Sequence, residues 1–445
     1  MTRRRVAIIG AGFSGASVAA QLLRARGRNQ VVLIERGARF GTGLAYGVDE
    51  PTFVLNVRSA NMSALPDAPD DFVRWLKPKT DIGAGDIFAP RRQYGRYVEH
   101  MLGRAERAGF GRLKRVRGDA IACRAEGDGW RVSFERAKPI DADAVVLALG
   151  NALADAPAPL SGITVLGAFD ADARRRIPRR ADVLLVGTGL TAVDVALALD
   201  AQGHTGTIYA LSRRGLLPRT QTTASKQPHF GAAEFPAELS DALHVFRRKI
   251  AVLAERGEPW QWAFERVRLA TPELWQRLSP AQQQRFLRHL RPWWDTHRHR
   301  AAPQVGARID ELIKQGRLRV LAGEIVNATP LARGVQIMHR QRGSFVRHRM
   351  EAGVVINCAG AAFDIARSAD PLVMQLRAEG LVRAHPTGLG FDVDSDGALI
   401  GAGGQAHPSL FTLGPPTQGA FWESTAVPEI RMRAQRLSQM LTGEG

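Results

Sequence analysis

Two glycine-rich turns in this chain are spaced to hold phosphates. The first is Gly10-Ala11-Gly12-Phe13-Ser14-Gly15, after the apolar run 6–9. The second is Gly187-Thr188-Gly189-Leu190-Thr191-Ala192, after the apolar run 183–186. In each, the leading glycine (Gly10, Gly187) permits a tight turn. The next (Gly12, Gly189) lets the main chain approach a pyrophosphate. The small third residue (Gly15, Ala192) lets the following helix pack on its strand. Free N–H groups and the dipole at the start of that helix favour an anion. One such motif is weak evidence; two predict two dinucleotides.

The residues after each turn select the nucleotide. Residues 30–35 end in Glu35, with Arg36 beside it. A carboxylate at that spacing accepts ribose hydroxyls and repels a 2′-phosphate. Residues 207–214 end instead in Ser212-Arg213-Arg214. A hydroxyl and two guanidiniums suit a 2′-phosphate, each charge-assisted bond being worth roughly 1.5–3 kcal/mol. The first site is read as FAD and the second as NADPH. The competing reading leaves Arg213 and Arg214 as solvated charges in an arginine-rich chain.

The elements that must position these turns follow from pattern. Residues 144–150, ending in Gly150, and 353–360 are both apolar strands that finish in small residues and glycine. They are read as the points where the chain leaves one nucleotide unit for the other. The expected fold is α/β, with two Rossmann-like dinucleotide-binding domains. Residues 1–160 and 361–445 form a discontinuous FAD domain around an NAD(P)H domain at 161–360. Residues 236–316 read as a helical insertion, and their tryptophans at 260, 262, 275, 293 and 294 as inter-helix core. A small meander is expected around Trp130, and the basic loop 174–180 is read as solvated.

Composition excludes several classes. The 445 residues are 45% hydrophobic and 23% charged, as in an ordinary globular protein. A net charge of +18 invites a nucleic-acid partner, but the charge is nearly all scattered arginine with no recognition motif. Cys123 and Cys358 are far apart and form no redox dithiol. The run His297-Arg298-His299-Arg300 offers no third metal ligand, so no metal is expected and a helix-end or surface role is assigned. No run is long enough to enter a bilayer. Thr2-Arg3-Arg4-Arg5 resembles an export signal, but cleavage would destroy the first β-α-β unit, so a cytoplasmic location is expected.

The two turns and two crossover strands resemble the two-dinucleotide-binding-domain flavoproteins over nearly the whole chain. Segments 41–47, 55–57, 62–63, 71–76, 90–97, 413–415 and 422–426 are more narrowly similar to a bacterial family described as FAD/NAD(P)-binding proteins. That family is similar in layout to class B flavin monooxygenases, especially the amine N-hydroxylases. The resemblance implies that Asn56 and Ser63 give polar contacts to a flavin and Met62 a face contact, in a loop too polar to be core. Arg91 is read as a ligand of the FAD phosphates or a substrate carboxylate, or as a solvent ion pair. Gly414 and the helix near Trp422 are read as aiming N–H groups at the flavin.

The stretch 169–174 lacks the glycine and histidine of Baeyer–Villiger enzymes, which argues against ketone oxygenation. The expected activity is an NADPH-using FAD oxidoreductase, a monooxygenase that oxygenates a small amine-like substrate with molecular oxygen through a flavin C4a-hydroperoxide. No catalytic side chain is named. A plain NADPH:acceptor reductase and a non-catalytic flavin-binding redox sensor are the alternatives. Oligomeric state is left open.

Overall fold

The computed structural model describes residues 4–79, 83–152, 154–225, 227–360 and 364–443. Thr2 and Arg3 of the N-terminal basic run, Leu153 of the linker and the expected boundary at Ala361 lie outside them. Sixteen strands are assigned among the described residues: β1 (Arg5–Ile9), β2 (Gln30–Glu35), β3 (Leu113–Arg117), β4 (Ala120–Glu126), β5 (Gly129–Phe134), β6 (Ile140–Ala142), β7 (Ala144–Leu147), β8 (Val165–Gly167), β9 (Val183–Val186), β10 (Ile208–Ser212), β11 (Leu318–Pro330), β12 (Val335–Gln341), β13 (Arg347–Ala352), β14 (Val354–Asn357), β15 (Ala398–Ile400) and β16 (Ala406–Thr412).

They form two Rossmann-like sheets and the small meander β4-β5-β6. The first sheet has the order β15-β16-β7-β1-β2-β3. All its pairs are parallel except β15 with β16. The second has the order β13-β12-β11-β10-β9-β14-β8, parallel from β11 to β8, with β12 and β13 extending it antiparallel. Residues 6–9, β7 and β9 read as unbroken apolar runs because both faces of each sheet are covered. Helices cover one face; the other is covered largely by further strands, the meander on the first sheet and β12 and β13 on the second. The fold is the α/β architecture expected from the sequence.

Each sheet keeps its glycine turn against a buried helix. The Phe13–Arg24 helix is rich in Ala, Ser and Gly and buried along almost its whole length. It packs between the Arg91–Ala108 and Val427–Thr442 helices, so chain from both ends builds this core. Asn29 Nδ2 donates to the Leu441 carbonyl at 3.1 Å and ties the two ends together. The Leu190–Ala201 helix buries its matching face with the Pro303–Lys314 helix. Between residues 239 and 314 the chain is helical, as the pattern predicts. Among the described residues, no helix is long and apolar enough to cross a membrane.

Candidate functional site

The two glycine turns share their main-chain frame. Gly10 N–H donates to Ile34 O at 2.9 Å, and Gly187 N–H to Leu211 O at 2.8 Å. Gly10 has φ +98° and Gly187 φ +122°, conformations that favour glycine. A Cβ on Gly10 would sit 2.3 Å from Ala148 O, and one on Gly187 2.6 Å from Cys358 O. Ala148 and Cys358 each follow the last residue of β7 and β14, so each crossover strand closes against the glycine of its own sheet. A Cβ on Gly15 would stand 1.9 Å from Gly10 O, which is why that position is bare. Both helices start at a glycine N-cap with no side chain accepting their first N–H groups. Those donors are left for a ligand.

Both turns face one cavity of about 770 Å³. From the first turn, Gly10, Gly12, Phe13 and Ser14 line it; from the second, Leu190 and Thr191; Gly150 (φ +72°) lies between them. Glu35 closes one end, its carboxylate accepting from Ala11 N–H and Gly37 N–H, both at 2.8 Å. Arg36 also lines the cavity, 3.7 Å from Asp370. Gly414 (φ +87°) is pressed against the helix start, for a Cβ there would be 2.5 Å from Ser14 Oγ. Segment 41–47, which carried no role in the sequence reading, folds over the first turn. Gly41 N–H donates to Ala11 O at 2.6 Å, and Tyr46 meets Phe13 edge-on at 6.3 Å.

Beneath the cavity lie buried charges that join the two sheets. Arg91 Nη2 stands 2.6 Å from Asp194 Oδ2, and Arg174 Nη2 3.1 Å from Glu50 Oε2. Phe53 lies between them, within 5.8 Å of the Arg91 and 5.3 Å of the Arg174 guanidinium. The Arg91–Asp194 contact is close but poorly aligned, leaving Asp194 Oδ2 without a hydrogen bond. Burial pushes the Asp194 carboxyl up to about 6 against the pull of Arg91 and Arg174. The solvent ion-pair reading of Arg91 is therefore corrected, as is the solvated reading of the 174–180 loop at Arg174, which is 2% exposed. The one sequence signal for this cluster is Asp194 itself, an acid in the first turns of a helix that is apolar over residues 195–199, with Asp200 near its end. Arg174 and Glu50 are 124 residues apart and give none.

At the second turn, Ser212 Oγ is occupied by Thr188 Oγ1 at 2.8 Å and Gly215 N–H at 3.0 Å. Arg213 and Arg214 make no ion pair among the described residues. Arg342, from the β12–β13 connection, joins them; its Nη1 donates to Arg213 O at 3.4 Å. Burial, then Arg342 and Arg213, hold the Arg214 guanidinium below its usual range. Glu324 lines the same cleft as Arg213 and Arg342 but is taken up by Arg340, so these three cations are left without an ion pair among the described residues and suit an anion. Ala192 is buried under this turn, while a Cβ on Gly189 would meet open space.

Other residues fall elsewhere. Met62 and Ser63 are buried in the first core, and the reading of their loop as too polar for core is corrected. The Ser63 hydroxyl donates to Ala68 O at 2.6 Å, satisfying the loop from within. Asn56 gives its carbonyl to Gln221 Nε2 at 3.1 Å. Asn56, Met62 and Ser63 do not line the cavity between the turns. Trp422 faces away, stacked on Trp275 at 4.7 Å, and the helix before it is only Gln418–Phe421. The tryptophan-rich stretch is not solid core: Trp260, Trp275, Trp293 and Trp294 line a second cavity. The surface reading of the 297–300 run is also corrected. Arg298 forms a two-bond pair with Glu423 at 2.9 Å, and Arg300 is buried on Gln221 and Glu265. Burial pushes both thiols up, so Cys123 and Cys358 stay protonated.

Residues 7–152 match a family model described as FAD-NAD(P)-binding. No curated protein matches the sequence. Among solved structures, the chain is similar to the ornithine N-hydroxylase of Kutzneria sp. 744 (17% identity, 100% of both chains, TM-score 0.69). It is also similar to the FAD-bound cadaverine monooxygenase of Erwinia amylovora (12% identity, 100% of this chain and 95% of that one, TM-score 0.70). The L-lysine 6-monooxygenase of Pseudomonas syringae is a third (15% identity, 99% of both chains, TM-score 0.68). These likenesses establish the two-dinucleotide fold from end to end, in agreement with the resemblance seen in the sequence.

Proposed function

We propose that this chain is a FAD-dependent, NADPH-using oxidoreductase that acts as a monooxygenase on a small amine-like nucleophile. The observation that carries the reading is the shared cavity. The first turn's helix start and the second turn's Leu190 and Thr191 face one space, so two dinucleotides would meet there. Its volume is in the range of cofactor sites. The similar ornithine hydroxylase was solved with reduced FAD, NADP⁺ and L-ornithine, which supports the same pairing here.

The donor set fits both groups. Gly10, Gly12, Phe13, Ser14, Gly15, Glu35, Arg36, Gly150 and Gly414 would hold FAD. Gly187, Gly189, Leu190, Thr191 and Ala192 would hold the NADPH pyrophosphate, and Arg213, Arg214 and Arg342 its 2′-phosphate. Held by these residues, the pair of cofactors would supply hydride transfer and the means of passing an electron pair to oxygen. The chain orients the two rings and covers the first turn with segment 41–47. Arg91 reaches the cavity wall with Asp194 behind it, adding a neutralised charge rather than a free one. On this reading residues 1–160 and 361–445 serve the flavin, and 161–360 the nicotinamide.

Anaerobic mixing of the FAD-loaded protein with NADPH tests the proposal. Bleaching of the flavin, followed under air by oxygen uptake and an N-hydroxylated amine, is expected. Bleaching with hydrogen peroxide as the only product would replace the monooxygenase with the acceptor reductase. No bleaching would leave a flavin-binding sensor.

A further inference from the structure

The second cavity, of about 770 Å³, is walled by the helices between residues 239 and 298 and floored by Trp422. It shares no lining residue with the cavity between the glycine turns. Its walls are aromatic and aliphatic. Phe264, Trp275, Phe286, Trp294 and Trp422 ring one end, and Trp275 and Trp422 stack at 4.7 Å with 27° between planes. Trp422 holds φ +52°, a conformation L-residues rarely adopt, so stacking fixes a strained backbone there.

The charge and polarity of the walls describe what would fill the space. Trp275 Nε1 is already used, donating to Gly419 O at 2.7 Å, and Trp294 Nε1 is buried out of reach of the cavity. These two indoles therefore present ring faces and edges to the chamber rather than free donors. The charge is one-sided. Among the described residues the lining carries Arg219, Arg247 and Arg277 and not one carboxylate. Arg277 is engaged by Ala232 O at 3.0 Å and Glu273 at 3.9 Å. Arg219 and Arg247 are exposed, and neither guanidinium has a partner among the described residues. A mouth with two free cations above an aromatic chamber complements an amphiphilic anion and repels a free diamine.

We propose that this helix-walled cavity binds an apolar acid, with an acyl or aromatic body among the tryptophans and its anionic head at Arg219 and Arg247. The site stands independently of the flavin chemistry, because it is measured without NADPH. Decanoate, hexanoate and decylamine serve as probes of the full-length FAD-loaded protein, by equilibrium dialysis and tryptophan quenching. Decanoate is expected to bind saturably, about tenfold or more tighter than decylamine. Affinity should rise several-fold with each added methylene between hexanoate and decanoate, as burial of the chain requires. In R219A/R247A, whose altered side chains are exposed, decanoate should fall to the level of decylamine. In Ala242→Trp, which fills the chamber, decanoate binding should be lost while the R219A/R247A melting curve stays that of the parent. Equal binding of decanoate and decylamine, no dependence on chain length, or decanoate binding untouched by R219A/R247A would overturn the proposal.

Discussion

On the proposed reading, Arg213 and Arg214 set the choice of nucleotide. With Arg342 they form a cationic patch at the end of β10 whose neighbouring carboxylate, Glu324, is held by Arg340, so an extra phosphate on the ligand would be felt there. Replacing both, in Arg213→Ala with Arg214→Ala, should raise Kd for NADPH by about ten- to a hundredfold while moving NADH by less than about threefold. Equal losses for the two nucleotides, measured by flavin reduction at increasing nucleotide, would remove the phosphate assignment. At this scale the sequence was legible where chemistry dictates backbone. Gly10, Gly15 and Gly187 are bare because a carbonyl occupies the place of a side chain. It misled where polarity was taken for exposure. Ser63 is buried because its hydroxyl finds carbonyls two and five residues along its own loop. Arg342 was invisible, since it reaches Arg213 from 129 residues away.

Between elements, the buried charges matter most. Asp194 sits in the first turns of its helix and Arg91 begins another, so their contact ties the helix after the second glycine turn to one that packs on the helix after the first. Burial raises the folded-state value of Asp194 to about 6, above the ordinary carboxylate. The ionised form therefore costs the folded state above that pH, and the cost is relieved as pH falls through it. Relative to Asp194→Asn, the parent should gain on the order of 3 kcal/mol of unfolding free energy between about pH 7 and about pH 4. Urea titrations at the two pH values read this directly, and a pH-independent difference between the proteins would refute it. The helices and parallel strands themselves were readable from apolar runs and punctuation. Their mutual placement was not, because ion pairs such as Arg174–Glu50 have no local pattern.

The whole molecule is stitched by chain ends. β16 lies beside β7, the Val427–Thr442 helix covers the Phe13–Arg24 helix, and Glu423 and Glu429 pair with Arg298 and Arg268. A chain stopped after Gly390 keeps both glycine turns but strips β7 of one neighbour, β16, and the first helix of one of the two helices that cover it. It should show no cooperative unfolding transition by circular dichroism and should not retain FAD; a two-state melt with bound flavin would contradict this. The same topology sets a timetable during synthesis. Thr412 hydrogen-bonds Leu147, a partner made 265 residues earlier. At roughly 5–20 residues per second, the ribosome leaves β7 waiting for tens of seconds with one row of amides and carbonyls bare. The nascent chain passes through that interval with its first sheet unfinished, an open strand edge on β7 that β16 alone closes.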